Sequence, residues 1–338
     1  MNTQTTLSFA VLRRVILPAF AACVAAVSGL VSVNASAADD ATYPSRPIRI
    51  VVPFGGGTQM DITARLVGAK LGEALAQPVI VENRPGASGN IGSDVVAKAP
   101  PDGYTLLMTG SLITLLPSTL GSIAVDPVES FAPITKLAEP PIVIVSSPSL
   151  GVKTLSELVA LAARRPGKIT YATAGVGTVQ HLIATVIARK AGVDLVHVPY
   201  ANTGQALKDV VAGEVAVYFT FLGPIDAQLR SGQLNALAVA SKRRLRAWPD
   251  IPTVVELGYE EATADPWNGV LAPAGTSPAI VDRLYRELAR IVQQHDVRER
   301  FEQMGMEPVA LSPDQFRDEI RESVARWPPI VKAAGIHP

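Results

Sequence analysis

The chain has 338 residues, and its 30 Lys and Arg balance 30 Asp and Glu, so the formal net charge is zero at pH 7. It contains one cysteine, and 48% of its residues are hydrophobic. Without a basic excess or basic residues interleaved with aromatic ones, nucleic acid is not an expected partner. The length and composition indicate a globular chain with room for two lobes of ordinary size.

The first 37 residues have the pattern of a secretory signal peptide. Two arginines precede a long apolar segment, residues 15–33, and the small residues 35–37 follow. We expect export to the periplasm with cleavage after Ala37. An N-terminal membrane anchor is the alternative, because the apolar segment is nearly long enough to span a bilayer. The only cysteine, Cys23, lies in the removed segment, so the mature chain has no thiol for disulfides or thiolate metal sites.

Short β-branched runs alternate with helical patterns from residue 48 onward. The predicted strands are 48–54, 79–83, 104–109, 142–147, 169–174, 195–200, 215–220 and 234–241. The predicted helices between them are 61–76, 155–165, 179–191 and 204–211, and the tail from 279 to 335 is helical. Apolar strands with helices between them predict an α/β fold with mainly parallel sheets, covered on both faces by helices.

Two proline-rich breaks, at 138–142 and around 265–267, predict crossings of the chain between two lobes. The expected organisation is a signal peptide at 1–37, a first lobe formed by 38–141 and 266–338, and a second lobe formed by 142–265. No internal repeat is evident in the sequence.

The sequence offers little for catalysis. Its four histidines, at 181, 197, 295 and 337, form no HExxH motif or close pair, and no cysteine supplements them, so no metal is expected. There is no GxSxG elbow and no GxxxxGK phosphate loop. Gly175-Val176-Gly177 follows a strand but lacks the third glycine of a dinucleotide loop. We therefore expect neither an enzyme nor a cofactor.

Two glycine-rich segments share one design. Residues 53–61 (PFGGGTQMD) and residues 173–181 (TAGVGTVQH) each end a predicted strand and open a predicted helix. In open α/β sheets ligands bind beyond the carboxyl ends of strands, and a helix N-terminus there attracts an anion. The alternative is that both are tight turns that need glycine for positive φ. Two such loops, one in each predicted lobe, favour a ligand gripped between them.

A series of motifs runs in order over nearly the whole chain after residue 37. They are YPSRPIRIVVPF, PFGGGTQMD, VENRPGASGNIG, AKAPPDGYTLL, TAGVGTVQH, HVPY and W-x-G-x-x-APAGT. In these motifs the chain resembles the tripartite tricarboxylate transporter receptors, the Bug-type periplasmic solute-binding proteins. The resemblance implies a two-lobed periplasmic-binding-protein fold of type II with a hinge between the lobes. It also implies a small carboxylate ligand, held mainly by loop N–H groups, hydroxyls and water.

The resemblance places the ligand contacts on the two loops and at a few neighbouring positions. The expected ligand-binding residues are Phe54, Gly55, Gly56, Gly57, Thr58, Gln59, Thr173, Gly175, Gly177, Thr178, His181, Tyr200 and Thr220. Three departures from the family pattern stand out. Residues 55–58 replace the usual Ala-Pro-Gly-Gly, and residues 201–202 replace a frequent Lys-Gly. Thr220 stands where many members have Asp, which disfavours a cationic or amino-acid ligand.

Several polar residues near these loops have two interpretations. His181 is either a ligand contact or a histidine satisfied at a helix start, and His197 is expected to be a structural hydrogen-bonding residue. Arg84 in ENRPG is assigned to a turn rather than a carboxylate clamp. Asp61 is assigned to capping its own helix.

We expect a monomeric receptor that closes over a small organic acid and delivers it to the membrane permease subunits of a tripartite tricarboxylate transporter. An exported enzyme that uses His181 and Asp61 as acid and base is one alternative. A receptor that serves a sensor kinase is another.

Overall fold

The computed structural model describes residues 43–119, 123–200, 202–264, 266–333 and 335. The signal-peptide prediction and Cys23 lie outside these ranges. Two compact units are distinguished, residues 1–45, of which only 43–45 are described, and residues 46–338. Everything below concerns the second unit. Within the described residues, no helix is long and apolar enough to cross a membrane.

The second unit contains eleven strands and ten α-helices in the described ranges. The strands are β1 (Ile48–Val52), β2 (Val79–Asn83), β3 (Thr105–Gly110), β4 (Phe131–Glu139), β5 (Ile142–Ser146), β6 (Ile169–Thr173), β7 (Leu195–Pro199), β8 (Val217–Phe221), β9 (Asn235–Val239), β10 (Asn268–Pro273) and β11 (Glu307–Pro308). The helices are α1 (Gln59–Leu75), α2 (Asn90–Ala97), α3 (Leu112–Thr119), α4 (Leu155–Arg164), α5 (Val179–Ala191), α6 (Thr203–Ala212), α7 (Asp226–Arg230), α8 (Pro278–Val292), α9 (His295–Gln303) and α10 (Pro313–Ala333). Each predicted strand and helix is therefore present, with ends shifted by a few residues at most positions.

The strands form two sheets of the same basic topology. Sheet A has the order β11-β4-β10-β3-β1-β2, and sheet B has the order β7-β6-β8-β5-β9. In sheet A, β1 pairs in parallel with β2 and β3, and β10 runs antiparallel to β3 and β4. In sheet B, β6 pairs in parallel with β7 and β8, and β5 runs antiparallel to β8 and β9. The β1–α1 and β6–α5 connections therefore occupy equivalent places.

The expectation of mainly parallel sheets is wrong in part, because both sheets are mixed. Parallel neighbours require a crossover connection, usually a helix, between them. The strands β5 and β10 instead enter their sheets directly from the other sheet, so no crossover fixes their direction. The chain leaves sheet A across Pro140-Pro141 and returns to it at β10, close to the two predicted breaks. The lobe boundaries themselves stay a prediction.

Apolar side chains cover both faces of sheet B. Ile142 and Ile144 belong to one buried cluster, and the alternating Val143 and Val145 belong to another. The first cluster also includes Leu115 of α3 and Trp327 and Val331 of α10, so helices from the two ends of the chain pack on this face. Sheet A has its own cluster around Val51, Leu107, Trp267 and Phe316. These cores fix the ends of β1 and β6, where the two loops begin.

Candidate functional site

The first loop joins β1 to α1 and is closed by its own side chains. Thr58 is the N-cap of α1, and its Oγ1 accepts a hydrogen bond from the Asp61 N–H at 3.3 Å. The same hydroxyl donates to the Gly55 carbonyl at 2.9 Å. Gly57 has φ +78°, a conformation that glycine adopts without strain, and its N–H donates to Asp61 Oδ2 at 2.8 Å. Positive φ is thus a sufficient reason for the third glycine.

Asp61 organises this loop from a buried position. Its carboxylate accepts hydrogen bonds from Asn83 Nδ2 at 3.0 Å and Arg65 Nε at 3.1 Å, besides the one from Gly57. Asn83 also donates to the Phe54 carbonyl, which ties β2 to the loop. Burial raises the pKa of Asp61, but the hydrogen bonds from Arg65, Gly57 and Asn83 outweigh it and hold the pKa below its usual value. Asp61 therefore closes the turn that precedes α1, whereas the predicted helix-capping role belongs to Thr58.

The second loop, between β6 and α5, repeats this pattern residue by residue. Thr178 is the N-cap of α5. Its Oγ1 accepts a hydrogen bond from the His181 N–H at 3.3 Å and donates one to the Gly175 carbonyl at 2.8 Å. Gly177 has φ +75°, and its N–H donates to His181 Nδ1 at 3.2 Å. His181 thus takes the structural place of Asp61, as the third residue of its helix.

Three aromatic rings stack behind the second loop. The ring centroids of His181 and His197 are 4.1 Å apart, and Tyr171 stacks on His197 at 4.9 Å. His197 Nε2 lies 2.7 Å from the Thr173 hydroxyl. This contact confirms the prediction that His197 is a structural hydrogen-bonding residue.

Burial favours the neutral form of both histidines. Because His181 Nδ1 accepts the Gly177 N–H, the ring carries its proton on Nε2 and can donate there. Burial lowers the pKa of His181. Burial, followed by the neighbouring His181, lowers the pKa of His197 to about 4. A neutral imidazole that donates from Nε2 is the group that this loop offers to a ligand.

Contacts from distant segments connect the surroundings of the two loops. A Cβ on Gly177 would lie 3.3 Å from the Thr119 Cβ at the end of α3. Helix α3 packs against the turn at residues 87–89. A Cβ on Gly89 in that turn would lie 3.4 Å from both Pro53 and Phe54 of the first loop. Helix α3 and this turn therefore link the surroundings of the two loops.

A second connection runs through the segment that follows α9. Gln59 Nε2 donates to the Met304 carbonyl at 3.4 Å. A Cβ on Gly223, just after β8, would lie 2.2 Å from the same carbonyl oxygen. The first loop and the end of β8 therefore meet at Met304. Sequence patterns gave no indication of Thr119 or Met304, because neither belongs to a glycine-rich or strand-end motif.

The remaining predicted site residues differ in how accessible they are. Tyr200 donates its hydroxyl to Asp209 Oδ2 at 2.6 Å; burial and this carboxylate raise the pKa of Tyr200 to about 12. Thr220 is buried in β8 opposite Val143. Residues 55–58 are exposed, which leaves the first loop open to a ligand. Tyr200 thus has a structural role that the motif alone did not reveal.

Arg84, the residue after β2, forms an ion pair with Glu82 in β2. Its side chain is 53% exposed. This exposed ion pair gives no support to an arginine clamp, and because residues 84–86 follow β2 without a regular turn, the turn assignment stays a prediction.

A cavity of about 990 Å³ lies at the crossings between the sheets, and none of the predicted ligand residues lines it. Its walls include Pro140, Pro141 and Pro266 of the two crossings. They also include Lys136, which is ion-paired with Glu139 and Glu319 at 2.7 Å. The walls mix both signs of charge, and they reach the start of α5 at Val179. In the described ranges, no group of three or more His, Cys, Asp or Glu residues could hold a metal ion.

Known proteins resemble this chain in both sequence and structure. Protein BugT of Bordetella pertussis is 38% identical over 296 residues, which are 87% of this chain and 91% of that protein. The periplasmic binding protein BugD is 32% identical with a TM-score of 0.78, and the alignment covers 87% of this chain and 99% of BugD.

Two further solved structures contain bound ligands. A protein of R. palustris with adipate is 31% identical, with a TM-score of 0.80 and coverage of 88% of this chain and 99% of that one. MatC from Rhodopseudomonas palustris with bound malate is also 31% identical, with a TM-score of 0.74 and coverage of 86% and 100%. These likenesses confirm the two-sheet periplasmic-binding-protein fold.

The family model of the tripartite tricarboxylate transporter receptors matches residues 63–336. The match includes the second loop and begins just after the first. It covers most of the chain. Periplasmic binding proteins of this kind are located in the periplasm. The chain is a member of the tripartite tricarboxylate transporter receptor family.

Proposed function

We propose that this protein captures a small carboxylate between the β1–α1 and β6–α5 loops and delivers it to membrane permease subunits. The observation that carries the proposal is the identical construction of the two loops, each ending a strand and opening a helix at a threonine cap. The relatives with bound adipate and malate support a carboxylate as the ligand.

The hydrogen bonds within the loops define which groups meet the ligand. The N–H groups of Gly57 and Gly177 are already donated to side chains, so these glycines shape the loops. The first N–H groups of a helix have no acceptor within the helix. We therefore assign the carboxylate to the N–H groups that begin α1 and α5, to Gln59 and to His181 Nε2–H, where the helix dipoles also favour an anion.

The enzyme alternative finds no support in this arrangement. Asp61 is surrounded by three donors and stays ionised, and His181 uses Nδ1 to accept a backbone N–H. The Asp61 carboxylate is thus occupied within the loop, and His181 keeps only its Nε2–H, which can donate a hydrogen bond but is not a free base. A carboxylate incubated with the protein should be recovered unchanged; turnover that disappears in His181→Ala would establish the enzyme instead.

Thermal unfolding with and without ligand tests the proposal. Small molecules released by denaturing the purified protein are identified by mass spectrometry, and the identified carboxylate is added back. At 100 times its dissociation constant it should stabilise the native state by about 2.7 kcal/mol. At about 2–4 °C per kcal/mol, the melting temperature then rises by roughly 5–10 °C.

Three variants locate the ligand within the protein. Gly57→Val and Gly177→Val place a β-branched residue at positive φ, which distorts each loop at a cost of about 1–3 kcal/mol. Both should fold and lose the ligand-dependent rise. Arg84→Ala is the matched control and should keep it. If Arg84→Ala abolishes the rise and both valine variants keep it, the ligand is held by an arginine clamp away from the loops.

We further propose cleavage after Ala37, a monomeric mature protein, and two lobes formed by 38–141 with 266–338 and by 142–265. The membership of the strands in sheets A and B supports this division. Protein purified from the periplasm should begin at Ala38 by intact mass and elute as a monomer in light scattering. An intact Met1 terminus in the membrane fraction would refute cleavage. Uptake of the ligand that persists after deletion of the permease subunits would favour a sensory role.

A further inference from the structure

Few large apolar side chains are exposed in the described ranges, and their positions differ in kind. They are Ile80 at 55%, Ile91 at 53%, Val176 at 68% and Val196 at 39%. Ile80 and Val196 lie at equivalent positions, the second residues of the edge strands β2 and β7. Single exposed apolar residues of this kind are normal on a protein surface. Ile91 and Val176 instead border the two loops.

Val176 is held at the tip of the second loop by a fixed backbone. It lies between Gly175, with φ +135°, and Gly177, with φ +75°. The hydroxyls of Thr173 and Thr178 both donate to the Gly175 carbonyl, at 3.1 and 2.8 Å. A loop tied at both ends in this way presents the Val176 side chain to solvent, and the side chain cannot turn inward without breaking these bonds.

Ile91 occupies a comparable place beside the first loop. A Cβ on Gly92 would lie 2.8 Å from Pro53, and a Cβ on Gly89 would lie 3.4 Å from Pro53 and Phe54. The start of α2 is therefore pressed against the first loop, and only glycine permits this approach. Ile91, between these glycines, is 53% exposed, and its Cδ1 lies against Gly86, where an added Cβ would be 2.4 Å away.

We propose that Val176 and Ile91 contact the carbon body of the bound carboxylate, so that the preferred ligand has an extended apolar body rather than a polyhydroxylated one. This inference rests on the proposed function, because it assumes that the carboxylate lies between the loops. Each methylene that these side chains remove from water should strengthen binding about threefold to fourfold. The ligand is thus oriented with its carboxylate on the helix starts and its apolar part against Val176 and Ile91.

A chain-length series measures this contribution directly. Dissociation constants are determined by calorimetry for unbranched dicarboxylates from succinate to azelate and for monocarboxylates from propanoate to nonanoate. In the wild-type protein, affinity should rise about threefold to fourfold with each methylene until the site is filled. A polyhydroxylated acid of equal length, such as glucarate compared with adipate, should bind at least tenfold more weakly.

Threonine variants assign the effect to particular side chains. Val176→Thr and Ile91→Thr should reduce the gain per methylene to less than twofold. Val196→Thr is the matched control for Val176→Thr, since it makes the same change on an edge strand, and should reproduce the wild-type series. Melting temperatures without ligand confirm that all three variants fold.

The outcomes separate this inference from the proposed function. Carboxylates that bind with affinities independent of chain length, or Val176→Thr and Ile91→Thr series that match the wild type, would overturn the apolar contact and leave the carboxylate site intact. Failure of every carboxylate to bind would overturn the proposed function and the inference with it.

Discussion

Removing the Asp61 carboxylate tests whether this side chain holds the first loop together. Asp61→Ala deletes the acceptor for Gly57, Arg65 and Asn83 at once. A hydrogen bond to a charged group contributes about 1.5–3 kcal/mol. Gly57 and Arg65 are exposed, so water replaces the lost acceptor for these two donors. The hydrogen bond from the partly buried Asn83 is the one whose loss water does not compensate. We therefore expect the free energy of unfolding to fall by about 2–3 kcal/mol.

Arg65→Ala is the matched control for this experiment. Arg65 forms an ion pair with Asp61 at 3.0 Å, but its side chain is 54% exposed. Exposed ion pairs contribute about 0.2–1 kcal/mol, so this variant should remain close to the wild type. In thermal or urea unfolding at pH 7, Asp61→Ala should melt about 4–12 °C lower, at about 2–4 °C per kcal/mol. The two variants therefore differ although they break the same ion pair.

The pH dependence of the free energy of unfolding is a second test of the hydrogen bonds around Asp61. The pKa of Asp61 is lowered in the folded protein, so its stabilising effect is complete above its unfolded value of about 3.9 and is lost as the pH falls through the folded value. The stability difference between wild type and Asp61→Ala should accordingly be constant from pH 5 to 7 and close in acid. Equal stabilities of Asp61→Ala and Arg65→Ala at pH 7 would show that the carboxylate does not organise the loop.

Three further predictions concern other parts of the protein. Lys136→Met should lower the free energy of unfolding in urea by about 3 kcal/mol, because it leaves two partly buried glutamates without their shared cation. A change below about 1 kcal/mol would contradict this prediction. The pKa of His197 is lowered to about 4, so the free energy of unfolding should fall as the pH drops from about 6.5 towards 4. In acid titrations of both proteins, His197→Asn should show a weaker decline than the wild type. Gly223→Ala should lower the melting temperature, because its Cβ would lie 2.2 Å from the Met304 carbonyl oxygen. Gly55→Ala is the control, since its Cβ has open space and the variant should melt like the wild type. Equal melting temperatures of the two variants would refute the close contact.

Much of the fold was predictable because its strands are short runs of β-branched and aliphatic residues. The strands β5 to β9 all fell within predicted ranges or close to them. No predicted strand corresponds to β4, β10 or β11. Of these, β4 contains Pro133 and Lys136 among its apolar residues. Lys136 is buried there because Glu139 and Glu319 neutralise it. Glu319 lies far along the chain, so no local pattern indicates this strand.

The loops were recognisable from their shared sequence, but the helix cap proved to be Thr58 rather than Asp61. The hydrogen bonds from the Gly57 and Gly177 N–H groups were not foreseen, because they depend on where the third residue of each helix points. Nor did any pattern indicate Thr119 or Met304. Both approach glycines from segments distant in sequence, and such contacts arise only when the sheets are assembled.

The two loops solve one backbone problem with different side chains, and this bears on where specificity lies. Asp61 and His181 both accept the N–H of the preceding positive-φ glycine, so a carboxylate and an imidazole are interchangeable for closing the turn. The threonine caps are likewise occupied within the loops. Residues used to build a loop cannot change freely with the ligand. Under the proposed function, discrimination between ligands falls to groups that the construction leaves unused, among them His181 Nε2–H and the exposed apolar side chains of Val176 and Ile91.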